Sequence, residues 1–171
     1  NIANKIGLDC IEFIIDYNDA DLNPLIKIDG VNEIKDVMNK TGVSVKTICA
    51  DYFMEAPLHS ENPQIASRSS ELMLRMLTNA HELGVTDIVI PCVDQSSLKD
   101  KKAVERFVKQ ISKIMSIIEN KNINLSLETD LAPRPFFELL NQLNSKNITV
   151  NYDIGNSAAL GFDPIEELQY Y

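Results

Sequence analysis

Short apolar runs alternate along this chain with longer segments whose apolar residues recur every three or four positions. Runs of about four to eight residues are typical of buried strands, whereas the longer period is typical of helices that pack on one side. Strands are predicted at residues 10–15, 43–49, 87–92, 123–128 and 148–153, and helices at 31–40, 65–83, 98–119, 135–143 and from residue 164 onward. This alternation predicts an α/β fold with a parallel sheet.

Two neighbouring predicted strands depart from the apolar pattern and end in carboxylates. Side chains alternate between the two faces of a strand, so Ser126 and Glu128 share one face, and Asn151 and Asp153 share one face of the next strand. The carboxyl ends of parallel strands meet at one edge of the sheet, where such folds build their active sites. We therefore expect Glu128 and Asp153 to converge in a site for metal binding or proton transfer.

A structural explanation is also open for both acids. Asp and Glu are favoured at helix N-termini, where they accept hydrogen bonds from free backbone N–H groups and complement the helix dipole. Asp153 lies just before a Gly-Asn pair, and Glu128 precedes the next predicted helix. Helix capping is therefore the alternative to a functional pair.

Composition narrows the partners that the chain is expected to have. Its 171 residues, 44% of them hydrophobic, suit one globular domain with a substantial core. A net charge of −9 argues against nucleic acid as a partner, and no apolar run approaches the roughly 20 residues that span a membrane. Cys10, Cys49 and Cys92 lie in apolar runs without CxxC spacing, which predicts buried thiols in a cytoplasmic protein.

Both ends of the chain have the features of positions inside a longer β/α array. The first residues resemble the end of a helix and lead through Gly7 into the first predicted strand, and Pro164 opens a last helix. A (β/α)8 TIM barrel takes about 250 residues. We therefore expect residues 1–171 to form a single partial barrel domain, with about strands 2 to 6, truncated at both ends.

Four short motifs follow one another along the chain. They are residues 7–13 (GLDCIEF), 80–89 (AHELGVTDIV), 125–128 (LSLE) and 151–156 (NYDIGN). In this order they resemble the sugar phosphate isomerase/epimerase family of xylose-isomerase-like TIM barrels. The resemblance implies that Glu128 is a metal ligand and the catalytic acid/base, and that Asp153 is a second ligand. The family's further ligands, a His and a Glu from later strands, have no counterpart in this sequence.

The resemblance implies a metal-dependent isomerase or epimerase that acts on a ketose or ketose phosphate. Removing a proton beside a carbonyl requires a base and stabilisation of the resulting enediolate. Oxygen ligands favour Mn²⁺ or Mg²⁺, and Co²⁺ or Zn²⁺ is also compatible if a His contributes. Glu12, Asn156 and Asp94 are candidates for substrate binding, with a structural hydrogen bond or a turn as the alternative explanation for each. A homo-oligomer is left open.

Three other functions remain open from the sequence. An AP endonuclease-like enzyme for DNA repair would use several extra His ligands for zinc. This chain has only His59 and His81, and Asp51 stands where such a His is expected after a strand. The other two are a sugar-binding barrel without catalysis and a lyase that dehydrates a cyclitol. We interpret His59 as a solvated loop residue, with a role in a lid over the site as the alternative.

Overall fold

Five strands carry the fold. The computed structural model describes residues 2–171, and its strands are β1 (Cys10–Ile14), β2 (Ser44–Cys49), β3 (Asp87–Cys92), β4 (Asn124–Thr129) and β5 (Ile148–Val150). They form one sheet in chain order, and every neighbouring pair is parallel. A parallel sheet in chain order, with a helical crossover after each strand, is the arrangement of consecutive units in a β/α barrel. The predicted fold class is confirmed.

Helices connect the strands and begin and end at residues suited to those positions. They are α1 (Ile2–Lys5), α2 (Gly30–Thr41), α3 (Tyr52–Glu55), α4 (Pro63–Leu83), α5 (Lys101–Lys121), α6 (Pro133–Leu143), α7 (Ile154–Leu160) and α8 (Pro164–Tyr170). Asn62 caps α4 by accepting from the Gln64 N–H at 2.9 Å, and Asp100 caps α5 by accepting from the Ala103 N–H at 2.9 Å. The α4 helix ends at Gly84, whose φ of 73° suits glycine.

One face of the sheet, which we call the outer face, packs against the helices. Its side chains with no exposed surface are Ile48, Ile88, Ile90, Leu125 and Leu127. They form one core with buried residues of α4 and α5, among them Met76 and Phe107. Burying a side chain of this size contributes roughly 1.5–3 kcal/mol, so this layer supplies most of the driving force for folding.

The opposite face, which we call the inner face, carries polar side chains on β4 and β5. The Asn124 amide donates to the Asp87 carboxylate at 2.9 Å, and the Ser126 and Thr149 hydroxyls are 2.8 Å apart. Ser126 pairs directly with Thr149 in the parallel register. The alternation predicted for β4 is therefore confirmed, and that predicted for β5 is confirmed as far as the strand extends, to Val150.

A β-bulge in β2 sets which residues reach the inner face near β1. Ile11 pairs with Val45, but the next residue, Glu12, pairs with Thr47, so Lys46 is the extra residue. The bulge lets Val45 point into the core while Thr47 and Cys49 align with the inner face. The sequence pattern did not predict it.

Several predicted boundaries differ from the structure. β5 stops at Val150 instead of residue 153, because residues 151–153 leave the sheet and turn into α7, a helix that the pattern did not predict. The helix predicted from residue 98 begins at Lys101, and that predicted from 135 begins at Pro133. Most other ends agree within two residues.

The cysteine prediction is partly wrong. All three thiols are free, but only Cys92 is buried, while Cys49 is half-buried and Cys10 is exposed. Cys10 lies on β1, which has a neighbouring strand on one side only, so the edge of the sheet leaves it open to solvent. None of the helices formed by residues 2–171 is both long and apolar enough to cross a membrane.

Candidate active site

Glu128 lies on the inner face near the carboxyl end of β4. Leu127 pairs with Val150 in the neighbouring strand, so the next residues, Glu128 and Asn151, lie side by side. The Asn151 Nδ2 donates to Glu128 Oε2 at 2.7 Å. The strand register thus supplies the first partner of this carboxylate. Sequence reasoning placed Asn151 on the right face but gave it no role.

A second amide comes from the helix that follows β5. The Asn156 Nδ2 donates to Glu128 Oε1 at 2.8 Å, so each oxygen of the carboxylate accepts one amide hydrogen bond. Burial raises the pKa of Glu128, the nearby charges of Asp153 and Asp51 raise it further, and the two amide donors oppose the rise. Glu128 is therefore a fixed, half-buried carboxyl with a raised pKa, which suits a group that exchanges protons.

Asp153 starts α7 and faces Glu128 as a neighbouring charge. Its Oδ1 accepts from the Asn156 backbone N–H at 2.8 Å, so it is the N-cap of that helix. The capping explanation therefore describes Asp153 correctly. It is wrong for Glu128, because the N-cap of the helix after β4 is Ala132. Capping uses one oxygen of Asp153 and does not prevent the exposed carboxylate from binding a ligand.

Asp51 is a further acid at the carboxyl ends of the strands, which we call the mouth of the barrel. Sequence reasoning missed it as a site residue. The Cys49 thiol donates to Asp51 Oδ1 at 3.0 Å. Burial raises the pKa of Cys49, and so do this hydrogen bond and the charges of Asp51, Glu12 and Glu128. The thiol therefore stays protonated at neutral pH. The available sequence signal was that Asp51 continues the alternation of Thr47 and Cys49 on the inner face.

Glu12 and Asp94 are exposed acids on β1 and just after β3, and the charge of Glu12 acts on Cys49 together with that of Glu128. Glu12 lies on β1 opposite Thr47 with an exposed side chain. Asp94 is exposed in a 3₁₀ turn after β3, with a φ of 51°. Within residues 2–171, no hydrogen bond joins either side chain to Glu128. Asn156 does join it and lies in the first turn of α7.

His59 is not the solvated loop residue that we predicted. It is 6% exposed, and its ring packs edge-on against Phe107 with the ring centroids 5.8 Å apart. Its carbonyl accepts from the Arg106 Nε at 2.7 Å. Burial lowers the pKa of His59 to about 4, and the Arg106 charge lowers it too. The loop folds onto α5, and this contact between distant residues removes the ring from solvent.

The acids at this mouth fit part of a metal site. Glu128 and Asp153 offer the hard carboxylate oxygens that Mn²⁺ and Mg²⁺ prefer. Burial is the main cause of the raised pKa of Glu128, and a cation would relieve the repulsion by Asp153 and Asp51 that adds to it. Residues 2–171 contain no group of three or more His, Cys, Asp and Glu side chains placed to hold a metal ion. These two residues would therefore be ligands of an incomplete set.

Comparison with known proteins places this geometry in a family. Residues 1–171 match the model of the xylose isomerase-like TIM barrel. The chain belongs to this family. The resemblance drawn from the four motifs is therefore confirmed at this level, as is the α/β barrel class.

Relatives of known activity are distant and longer. The 2-epi-5-epi-valiolone 7-phosphate 2-epimerase of Actinoplanes sp. is 23% identical over 95% of this chain and 58% of its own length. The L-ribulose-5-phosphate 3-epimerase of Escherichia coli is 23% identical over 98% of this chain and 62% of its own length. The chain thus spans about three fifths of these curated relatives.

A solved structure agrees with the fold. The xylose isomerase domain protein from Planctomyces limnophilus superposes with a TM-score of 0.74 at 16% identity, over 99% of this chain and 62% of that one. At this identity, the likeness concerns the fold. It supports the partial-barrel arrangement seen in the sheet order.

Proposed function

We propose that the protein is a metal-dependent epimerase or isomerase of a ketose or ketose phosphate, with Glu128 as a proton-transfer base. The observation that carries the proposal is the carboxyl of Glu128, held by two amide donors at 2.7 and 2.8 Å with its pKa raised. The names of the two curated relatives support this substrate class, because one is an epimerase of a valiolone phosphate and the other an epimerase of ribulose 5-phosphate. Membership of the family supports the barrel fold, and the residues at the mouth of the barrel support the proposed chemistry.

In this proposal, Glu128 takes the proton from the carbon next to the substrate carbonyl. The electron pair of that C–H bond forms the enediolate double bond, and the negative charge moves onto the carbonyl oxygen. For isomerisation, the neighbouring hydroxyl gives its proton to the former carbonyl oxygen, a carbonyl forms at that neighbouring carbon, and Glu128 returns its proton to the former carbonyl carbon. For epimerisation, a second acid protonates the original carbon from its opposite face and the original carbonyl re-forms; Glu128 and the second acid then regain their starting protonation states by exchange with solvent. The raised pKa of Glu128 brings its basicity closer to that of an effective base near neutral pH.

Glu128 and Asp153 are the residues that would hold a divalent cation. When bound, the cation supplies electrostatic stabilisation for the negative oxygen. The amides of Asn151 and Asn156 keep the Glu128 carboxylate fixed, so little reorganisation is needed when the proton moves. We assign Mn²⁺ or Mg²⁺ as the preferred ions because both prefer oxygen ligands.

Substrate hydroxyls would be bound by side chains around the mouth. Glu12 and Asp94 are exposed and lie on or just beyond neighbouring strands, so both are accessible to a ligand. Asn156 has a hydrogen bond to Glu128, so its contribution to substrate binding would be secondary to holding this carboxylate. We retain all three as proposed substrate-binding residues.

The chain would work as part of a longer barrel. Apolar side chains are exposed at both open ends of the array, with Ile11 and Ile14 on β1 and Ile165 and Leu168 on α8. Further β/α units packed there would bury them and complete the ligand set. The free thiols of all three cysteines support our proposal of a reducing, cytoplasmic location.

The test is exchange of substrate C–H hydrogen with solvent. The full-length protein, supplied with Mn²⁺ or Mg²⁺, is incubated in D₂O with a panel of ketoses and ketose phosphates, and deuterium at each carbon is measured by NMR. We expect metal-dependent exchange that Glu128→Gln abolishes. Glu138→Gln is the matched control, because Glu138 is exposed on α6 and pairs with Arg134. Exchange that survives Glu128→Gln, or a panel with no exchange, contradicts the proposal.

A further inference from the structure

A buried carboxylate lies behind the candidate site. Glu167 on α8 is only 3% exposed and accepts hydrogen bonds from three hydroxyls. Tyr152 donates to its Oε2 at 2.8 Å, Ser157 donates to the same oxygen, and Tyr171 donates to Oε1 at 3.0 Å. The fold thus surrounds this buried acid with hydrogen-bond donors from three different residues.

The environment of Glu167 consists of hydroxyl donors and contains no cation. In the described part of the chain, no Lys, Arg or His forms an ion pair with it. Burying a carboxylate without hydrogen bonds is costly, and charge-assisted hydrogen bonds offset that cost. Burial and the bond to Glu167 raise the pKa of Tyr171, so its hydroxyl remains a donor at neutral pH. The three hydroxyl donors therefore stabilise the buried carboxylate, and the carboxylate in turn fixes the positions of the three hydroxyls.

Two of these donors flank the candidate site. Tyr152 immediately precedes Asp153, and Ser157 immediately follows Asn156. Glu167 thus holds both ends of residues 152–157, the segment that carries a proposed metal ligand and an amide donor to Glu128. Capping bonds inside the segment complete the link, because the N–H groups of Asn156 and Ser157 both donate to Asp153.

The third donor has a different place in the fold. Tyr171 is four residues from Glu167 along the chain, and its ring packs against Phe136 with the centroids 5.0 Å apart. It ties α8 to α6 and has no bond to residues 152–157. Two of the hydroxyls therefore connect Glu167 to the site, and one connects it to the scaffold.

We propose that Glu167 is a positioning residue, which holds residues 152–157 so that Asp153 and Asn156 face Glu128. Its effect on catalysis rests on the function proposed above, whereas its effect on the segment does not. A helix that packs behind the site thereby contributes to the geometry of a carboxylate 39 positions earlier in the chain.

The first test measures amide hydrogen–deuterium exchange in the metal-free, full-length protein. We expect the amides of Asn156 and Ser157 to exchange about tenfold faster in Glu167→Ala, because the cap loses its support. Glu167→Gln should restore part of the protection, since its amide oxygen still accepts. Tyr171→Phe should lower the melting temperature and change exchange at these two amides much less, because Tyr171 has no bond to residues 152–157. Glu166→Ala, which alters an exposed acid next in sequence, is the matched control.

Milder variants keep the test decisive if Glu167→Ala does not fold. Tyr152→Phe and Ser157→Ala each remove one donor to Glu167 and should each speed exchange of the Asn156 amide. Unchanged exchange in both single variants, or in a folded Glu167→Ala, overturns the positioning role. An equal effect of Tyr171→Phe also overturns it, because Glu167 would then act only through general stability.

The second test separates this inference from the proposed function. Mn²⁺ affinity is measured by titration calorimetry, and we expect Glu167→Ala to weaken it roughly tenfold, as for residues that orient a metal ligand. Unaltered Mn²⁺ affinity in a folded Glu167→Ala overturns its effect on the ligand. If the unaltered protein binds no Mn²⁺ and exchanges no substrate hydrogen, the proposed function fails, and amide exchange alone still decides whether Glu167 positions the segment.

Discussion

The two faces of the sheet place their side chains in different surroundings, and adjacent residues of β4 show both. Leu127 points to the outer face and has no exposed surface, whereas Glu128 points to the inner face and is half-buried between two amides. Near the outer face, burial raises the pKa of Cys92 and lowers that of His59, so both side chains are neutral at pH 7.

Burial alone does not make a reactive site. His59 and Cys92 are both buried, and burial is the main reason that both side chains stay neutral. Glu128 combines partial burial with amide donors and neighbouring acids, so its pKa is raised while both protonation states keep polar partners. The difference shows that the register of β4 and β5, which supplies those partners, matters as much as the acid itself.

The sharpest test of this comparison substitutes the two neighbours on β4. Glu128→Gln should reduce solvent exchange of substrate hydrogen by about 10²–10⁴-fold, because the base is lost while the shape is kept. Leu127→Ala should instead destabilise the fold by about 2–5 kcal/mol, because it opens a cavity in the core. Urea unfolding and exchange rates are measured for both variants.

The two readouts should move independently. Glu128→Gln is expected to unfold at an equal or higher urea concentration, because a carboxylate with a raised pKa is less stable in the folded protein than in the unfolded chain once ionised. A large loss of stability in Glu128→Gln would show that the inner-face carboxylate is part of the structural core, and would remove the contrast between the faces.

Lowering the pH should reduce the free energy of unfolding, because His59 is buried beside the outer-face core in its neutral form. Its pKa falls from 6.5 to about 4 on folding, so between these values the unfolded chain binds more protons. The stability that His59 contributes is present above pH 6.5 and is lost as the pH falls towards 4, by up to about 3 kcal/mol. His59→Leu should flatten this part of the stability curve.

The control is the other histidine of the chain. His81 is exposed on α4, so His81→Leu is the matched substitution at a solvent-facing histidine. Urea unfolding at closely spaced pH values gives the free energy of unfolding of each variant and of the parent. Their difference removes the effect of the Asp and Glu residues, which titrate in all three proteins. Equal slopes for the parent and His59→Leu would mean that the buried ring does not resist protonation.

A smaller effect is expected at the other end of the inner face. Glu12 is exposed on β1, so Glu12→Gln should raise KM about tenfold through a lost hydrogen bond to substrate, while kcat changes little. Steady-state kinetics on the best substrate of the panel measures both constants. A fall in kcat comparable to that of Glu128→Gln would place Glu12 at the reacting atoms instead.

The repeating features of the site could be predicted from the sequence. The alternation of β4 and β5 placed Glu128 and Asp153 on one edge, and the motifs around them indicated the family, because strand periodicity and a family motif are local signals. The α7 helix escaped prediction since its seven residues, with a Gly and two Ala, show no apolar stripe.

The features that depend on distant contacts could not be predicted. The bulge at Lys46 is defined only by pairing with β1, and the burial of His59 depends on Phe107 in another helix. Glu167 is one of two adjacent acids in α8, and only the packed structure distinguishes it from the exposed Glu166. Such features arise from tertiary packing, which overrides local preference.

The finest test applies one substitution, Thr→Val, to both faces. Thr149 on the inner face bonds Ser126 at 2.8 Å, so Thr149→Val leaves a buried hydroxyl without its partner and should cost about 1 kcal/mol. Thr129 is the last residue of β4 and lies two positions after Leu127, so it belongs to the outer face. Its buried hydroxyl has no hydrogen-bond partner among residues 2–171. Thr129→Val should therefore stabilise the protein by about 1 kcal/mol.

Opposite signs from the same change would show that the two faces differ in their tolerance of polar atoms, since Val matches Thr in shape and only replaces the hydroxyl with a methyl group. Urea unfolding of both single variants and of the double variant measures the effects, which should add because the two hydroxyls share no partner. Destabilisation by both changes would mean that the Thr129 hydroxyl has a partner in solution, and the outer face would then accommodate polar groups as the inner face does.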